Sequence, residues 1–263
     1  MIRLEIIGGG RMGEALLGGL LAAGWAAPDA LAVVERLPER REQLTALFPG
    51  VAVLAEPVAA EGAVIAVKPN DVADTCRTLA GVGVQRVLSI AAGVTTAALT
   101  DALGDGVAVV RAMPNTPSLV RTGASAIAGG ASATGADLDW AASILAEVGI
   151  VVRVAEHDLD IVTGLSGSGP AYVFLLVENM ILAGVAGGLS REMAEVLAVQ
   201  TLLGAATLLH TSEDDAAALR EAVTSPGGTT AAGLRVLGEA GVPAAIVDAV
   251  LAAAERSREL GRA

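Results

Sequence analysis

Residues 8–13 read Gly-Gly-Gly-Arg-Met-Gly, directly after a strand-like segment, Arg3-Leu-Glu-Ile-Ile7, and directly before a helical pattern. Each glycine of this G-x-G-x-x-G spacing answers a separate steric demand. Gly8 permits a tight turn, Gly10 leaves the backbone bare for a pyrophosphate, and Gly13 lets helix and strand pack closely. The amides at the helix start, helped by the helix dipole, then point at the phosphates. A strand, a glycine turn and a helix in this order commit the chain to a βαβ beginning.

The segments that follow keep that commitment. Short β-branched runs are expected as strands near Leu4–Ile7, Leu31–Glu35, Val64–Val67, Val87–Ile90, Val107–Arg111 and Ile150–Val154. Helical patterns alternate with them at Met12–Ala23, Glu39–Leu47, Asp71–Leu79, Thr95–Leu103 and Asp137–Glu147. The strands are apolar nearly throughout, as in a parallel sheet covered on both faces. Beyond Glu156-His157-Asp158 strand runs cease, and helices are expected over Pro170–Gly187, Arg191–His210, Thr229–Glu239 and from Pro243 to the end. Ser190 and Pro170 stand where an N-cap and a first helical residue are wanted. The fold class is therefore α/β: a Rossmann-type dinucleotide-binding domain over residues 1–155, then an all-helical domain over 156–263. Pro170–Gly187 is apolar almost all round, so it needs cover on every side. In a domain this small that cover is expected from another subunit, which makes the protein an obligate dimer or larger.

Composition narrows the partners. The net charge of −12 and an aromatic content of 2% count against nucleic acid, which needs cationic and stacking surfaces. The single cysteine, Cys76, fits a reducing compartment. The start of the chain leaves no room for a signal peptide. Glu178, Asn179 and several glycines within Ala171–Leu189 count against a membrane span. The expectation is a soluble, cytoplasmic protein with no membrane partner. His157 and His210 have no ligand-spaced neighbours, so no metal site is expected, and Cys76 reads as a core residue.

Candidate ligand residues gather at strand ends. Glu35 stands 22 residues beyond Gly13, where an acidic residue receives the adenosine ribose of NADH. Arg36, with Arg40 and Arg41 one turn on, is the competing partner for the 2′-phosphate of NADPH, and the residues leave both open. Val67-Lys68-Pro69 ends a strand on the ligand-binding edge. Ser89-Ile-Ala91-Ala92-Gly93 ends the next with side chains small enough for a flat ring to approach. Arg111-Ala-Met-Pro-Asn115-Thr-Pro117 frames the Asn115 amide with prolines. Ser225-Pro-Gly-Gly228-Thr229-Thr230 opens a helix with bare amides and hydroxyls, a neutral cradle through which an acidic protein can hold a carboxylate.

Taken together, Ile6–Gly13, Val67–Pro69, Ser89–Gly93, Arg111–Pro117, Ser166-Gly-Ser-Gly-Pro-Ala-Tyr172 and Glu221–Thr230 resemble the pyrroline-5-carboxylate reductase family, in family order over essentially the whole chain. Arg11 stands where the family often has Asn. Glu35 replaces a more usual small polar residue, which weakens any inherited NADPH preference. The resemblance implies reduction of the C=N bond of 1-pyrroline-5-carboxylate to L-proline with NADPH or NADH. It implies a dimerisation domain, often in a ring of dimers, with the active site between one subunit's nucleotide domain and its partner's helices. It assigns Gly8, Gly10, Arg11, Met12, Gly13, Lys68 and Ala91–Gly93 to the cofactor. It assigns Ser225, Gly228, Thr229 and Thr230 to the substrate, with Thr230 as the hydroxyl on the ring nitrogen. The competing expectations are another imine reductase, a β-hydroxyacid-type dehydrogenase, and a non-catalytic nucleotide-binding protein. Pro170–Gly187 lacks the lysine that the hydroxyacid enzymes usually carry.

Overall fold

The computed structural model describes residues 1–262. By contacts the chain divides into two compact units, one made of residues 1–168 with the chain end from Leu251, the other of Gly169–Val250.

In the first unit, Leu4–Ile7 (β1) leads through the glycine turn into Arg11–Ala23 (α1). Leu31–Val34 (β2), Pro38–Leu47 (α2), Ala52–Leu54 (β3) and Ala63–Ile65 (β4) follow. Val72–Gly81 (α3), Arg86–Ser89 (β5), Thr96–Leu103 (α4) and Ala108–Met113 (β6) come next. Gly123–Gly129 (β7), Gly135–Leu145 (α5), Gly149–Arg153 (β8) and Leu159–Val162 (α6) complete this stretch. The eight strands form one sheet in the order β3-β2-β1-β4-β5-β6-β7-β8. All neighbours are parallel except β6 and β7, which run antiparallel with Val110 opposite Gly129. Chain order reverses between β1 and β4, and such a switch point opens a crevice at the carboxyl edge of a sheet.

Each strand alternates its side chains between two cores. Leu4 and Ile6 face Leu16, Leu17 and Leu20 of α1 and Trp140, Ile144 and Leu145 of α5. Ile7 faces Val72, Cys76 and Leu79 of α3 and Leu99 and Leu103 of α4. Cys76 is buried there as a free thiol, and burial pushes its pKa up to about 11.

Two strands escape the sequence reading. β3 has three residues, too few for a period, and β7 reads Gly-Ala-Ser-Ala-Ile-Ala-Gly, whose small side chains give little β signal.

The second unit contains Gly169–Ala186 (α7), Arg191–Thr211 (α8), Ala216–Ala222 (α9), Thr229–Glu239 (α10) and the first part of Val242–Arg262 (α11). Ser190 caps α8, its hydroxyl accepting the Met193 N–H at 3.2 Å. The short α9 carries its own start signal, Asp215 accepting the Ala218 N–H at 2.8 Å. α7 and α8 meet through small residues, so that a Cβ on Gly184 would stand 3.0 Å from the Ala194 Cβ. Among the described residues of this unit only Ala194 and Ala198 are buried apolar side chains. Phe174, Leu175 and Leu176 of α7 and Val196, Leu197 and Leu203 of α8 are each more than half exposed. By length and composition alone, Glu156–Ala186 and Arg191–Thr211 are long and apolar enough to cross a membrane. The interruption expected from Glu178 and Asn179 does not prevent this, because one charged residue is too few to lower the mean hydropathy of so apolar a helix.

Candidate active site

At the end of β1 the backbone turns at Gly8 with φ 111°, and a Cβ there would lie 2.6 Å from the Ala66 carbonyl oxygen. A Cβ on Gly13 would overlap the Gly8 carbonyl oxygen, so α1 can press on the turn only through a glycine. The Gly10 position meets no atom within 4 Å. Gly10 is also the N-cap of α1 and has no side-chain cap, which leaves the first-turn amides from Arg11 onward to a ligand. A Cβ at Gly10 would therefore fill open space beside bare amide donors, which is the shape that a pyrophosphate requires. The residues present fit a dinucleotide.

A cavity of about 490 Å³ opens from this turn. Gly8, Gly10, Glu35, Arg36, Val67 and Lys68 line it, and so do Glu56, Asp71 and Asp74. A larger hollow of about 780 Å³, lined by Met1, Ala60, Gln85, Arg86 and Gly106, lies where β4, β5 and β6 begin. Ligands of open α/β sheets bind at the opposite, carboxyl edge, so the smaller cavity is the candidate site.

The end of β2 is tied to the glycine turn. Glu35 Oε2 accepts the Gly9 N–H at 3.1 Å and Oε1 accepts the Leu37 N–H at 2.9 Å. Arg40 donates from Nε to the Gly9 carbonyl at 2.8 Å and pairs with Glu14 on α1. Arg41 donates from one terminal nitrogen to the carbonyls of Glu35 and Arg36, at 2.8 and 2.9 Å. The two arginines read from the sequence beside Arg36 as alternative phosphate partners thus face protein carbonyls, and neither lines the cavity. Arg36 does line it, with its guanidinium 3.5 Å from Asp71. Pro69 begins the short turn Pro69–Asp71, which carries Asp71 to that position.

The Ser89–Gly93 segment leaves β5 with Ala91 buried in the core of α3 and α4 and with Ala92 exposed. Gly93 turns at φ 77° beneath the last turn of α11, where a Cβ would stand 3.5 Å from the Leu260 Cβ.

Asn115 is a staple. Its Nδ2 donates to the Ser166 carbonyl at 3.1 Å, and its Oδ1 accepts the Ala124 N–H at 2.8 Å. Ala124 lies in β7, and Ser166 belongs to a π-helical stretch, Thr163–Gly167, closed by the Ser168 N–H on the Thr163 carbonyl at 2.8 Å. Such insertions often mark functional segments.

One group that the sequence reading names only at the end of the strand runs organises this region. Glu156 accepts the Thr96 N–H at 2.7 Å, the Thr96 hydroxyl at 2.6 Å and the buried Arg111 guanidinium at 3.2 Å. Burial alone would raise its pKa, but the Thr96 and Arg111 donors outweigh that and hold it below the usual carboxylate value. Charge complementarity with Arg111 was the available signal, without local spacing to reveal it.

In the second unit, Ser225–Thr230 leads into α10. Gly227 turns at φ 70° and the Gly228 N–H closes on the Ser225 carbonyl at 3.0 Å. Gly228 is the N-cap of α10 without a side-chain cap, and its missing Cβ would stand 2.6 Å from the Ser225 hydroxyl. Neither Ser225 nor Thr229 caps the helix. Among the described residues the hydroxyls of Ser225, Thr229 and Thr230 make no hydrogen bond and are exposed. Bare first-turn amides and unengaged hydroxyls thus share one helix start.

Residues 156–260 match the family described as pyrroline-5-carboxylate reductase dimerisation, and residues 3–93 match the family described as NADP oxidoreductase, coenzyme F420-dependent. The pyrroline-5-carboxylate reductase of Mycobacterium tuberculosis is 44% identical over 288 residues, covering 99% of this chain and 97% of the relative. The pyrroline-5-carboxylate reductase structure from Coxiella burnetii superposes with a TM-score of 0.92 at 36% identity, covering 98% of each chain. The Plasmodium falciparum pyrroline carboxylate reductase, solved with NADP bound, gives 0.88 at 30%, covering 99% of this chain and 98% of that one. With a glycine turn shaped for a dinucleotide, a helical dimerisation region and full-length relatives at this identity, the chain belongs to the pyrroline-5-carboxylate reductase family.

Proposed function

We propose that this protein reduces the C=N bond of 1-pyrroline-5-carboxylate to give L-proline, with NADPH or NADH as reductant. The observation that carries the reading is the coexistence, in a member of this family, of a pyrophosphate-shaped turn at Gly8–Gly13 and a carboxylate-shaped helix start at Ser225–Thr230. When bound, the reduced nicotinamide supplies the hydride, and the protein need only orient, shield and protonate.

Gly8, Gly10, Arg11, Met12 and Gly13 hold the phosphates through backbone amides, with Val67 and Lys68 along the cavity wall and Pro69 turning the chain beyond them. Ala91, Ala92 and Gly93 lie beside the nicotinamide. Ser225, Gly228 and Thr229 hold the substrate carboxylate, and Thr230 places its hydroxyl on the ring nitrogen, where it orients the imine and relays a proton. Asn115 acts on the substrate by fixing the loop at 113–117 against Ser166. Orientation of this kind accounts for a large part of a barrier reduction.

The functional division falls at 155/156, a boundary supported by the dimerisation family match from residue 156. A second copy covers the apolar faces of α7 and α8, and dimers assemble further into a ring. That cover removes from solvent the same side chains that would otherwise suit a membrane, which supports a cytoplasmic enzyme without a membrane partner, and the net charge of −12 supports the absence of a nucleic-acid partner.

The test is product identity. Incubation with 1-pyrroline-5-carboxylate and reduced cofactor should yield L-proline on chiral chromatography, and a product other than proline would remove the assignment.

A further inference from the structure

We infer that the adenosine end of the Gly8–Gly13 cavity is built for a ribose without a 2′-phosphate, so that this chain takes NADH in preference to NADPH. The inference rests on the cavity being the nicotinamide-cofactor site.

Charge at the end of β2 carries the argument. Glu35 is fixed on the cavity wall by two amide donors, Gly9 at 3.1 Å and Leu37 at 2.9 Å. Each carboxylate oxygen retains acceptor capacity beyond its one amide bond, which is what a ribose hydroxyl needs from it. A phosphate dianion brings no donor to that carboxylate and meets its charge instead. Because Glu35 also supports the turn, it cannot swing away without breaking the Gly9 contact.

The arginines beside Glu35 that would offset this repulsion are engaged elsewhere, which leaves Lys68 as the other cation on the cavity wall. Arg40 faces the Gly9 carbonyl and Glu14, and Arg41 faces two strand-end carbonyls. Arg36 alone of the three lines the cavity, and its guanidinium already has Asp71 at 3.5 Å. Glu56 adds a further carboxylate to the wall. Carboxylates therefore outnumber cations at this end, and a built-in repulsive element selects against the more highly charged cofactor.

Calorimetric titration of the cofactor-free full chain, without substrate, measures this apart from turnover. NADPH should bind about tenfold more weakly than NADH, and the ratio should narrow at high ionic strength, where exposed charges are screened. Asp71→Asn releases Arg36 and should narrow the ratio several-fold by strengthening NADPH binding. Glu35→Ser should do the same, but it also removes the Gly9 contact, so Asp71, which holds no part of the glycine turn, is the cleaner site. Equal affinities, or tighter NADPH, in the wild type would overturn the inference and leave the cofactor site standing. Failure of both cofactors to bind the folded chain would overturn the site assignment together with the inference.

Discussion

Arg40 donates its Nε–H to the Gly9 carbonyl at 2.8 Å, so a helix after β2 holds the glycine turn that follows β1. The same guanidinium pairs with Glu14 on α1 and reaches Gln43 on its own helix at 3.0 Å. It joins three elements around a turn whose shape decides whether a pyrophosphate fits. Glu35 holds the neighbouring N–H of Gly9 from the other side. The turn is thereby preorganised, and less ordering cost falls on cofactor binding.

Arg40→Ala is therefore expected to weaken binding of either reduced cofactor by about tenfold, the worth of one charge-assisted hydrogen bond of about 1.5 kcal/mol. Fluorescence titration of the reduced nicotinamide checks this. Arg40→Lys should recover only part of the loss, because one ammonium cannot reproduce the fork that reaches Gly9, Glu14 and Gln43 together.

Glu5 makes a separate prediction about stability. It is fully buried in β1, one oxygen accepts the Val58 N–H at 3.1 Å, and the other has no partner among the described residues. Burial raises its pKa from 4.5 to about 7, with the Val58 amide acting in the opposite direction. The folded state therefore binds the proton more tightly than the unfolded one. Stability contributed by protonated Glu5 is present at low pH and is lost as pH rises from about 4.5 to about 7. Glu5→Gln keeps an acceptor for Val58 without a charge. It should raise the melting temperature relative to wild type at pH 8, by a few kcal/mol in stability, and lose that advantage near pH 5. A difference independent of pH would show that Glu5 does not titrate in this range.

The substrate cradle gives a kinetic prediction. Thr230→Ala removes a hydroxyl that makes no hydrogen bond among the described residues, so the fold and cofactor affinity should be unchanged. Turnover should fall about 10²-fold, typical of losing one positioned proton-relay or charge-stabilising group. Thr230→Ser should restore most of it. Unchanged turnover in Thr230→Ala would remove Thr230 from the mechanism.

The helical unit predicts an assembly. Its two longest helices expose large apolar side chains on several faces, well beyond what a solvated helix carries. Light scattering should give a mass of at least twice the 26.1 kDa of one chain. Leu197→Glu, on α8, should lower that mass or render the protein insoluble. A monodisperse wild-type monomer would contradict the proposed cover.

Legibility in the sequence followed the range of the interactions. The glycine turn was readable because Gly8, Gly10 and Gly13 recur at a fixed spacing within six residues, directly between a strand pattern and a helix pattern. The helix start at Gly228 was readable for the same reason. β7 was hidden because Ala and Ser carry little strand preference, and its pairing is fixed instead by neighbours in the sheet. Arg40 and Arg41 were readable as cations near the ribose pocket, but only the fold shows that carbonyl oxygens engage them. The Glu156 network was illegible because Thr96 and Arg111 lie 60 and 45 residues away. Asn115 was picked out by its prolines, although its contact with Ser166 spans 51 residues.

The central claim is imine reduction by a nicotinamide cofactor, and the most direct measurement is the loss of reduced-nicotinamide absorbance on adding 1-pyrroline-5-carboxylate to the purified full chain. The account predicts substrate-dependent oxidation that saturates in both substrate and cofactor. A folded protein that binds the cofactor yet oxidises none of it with this substrate would contradict the account.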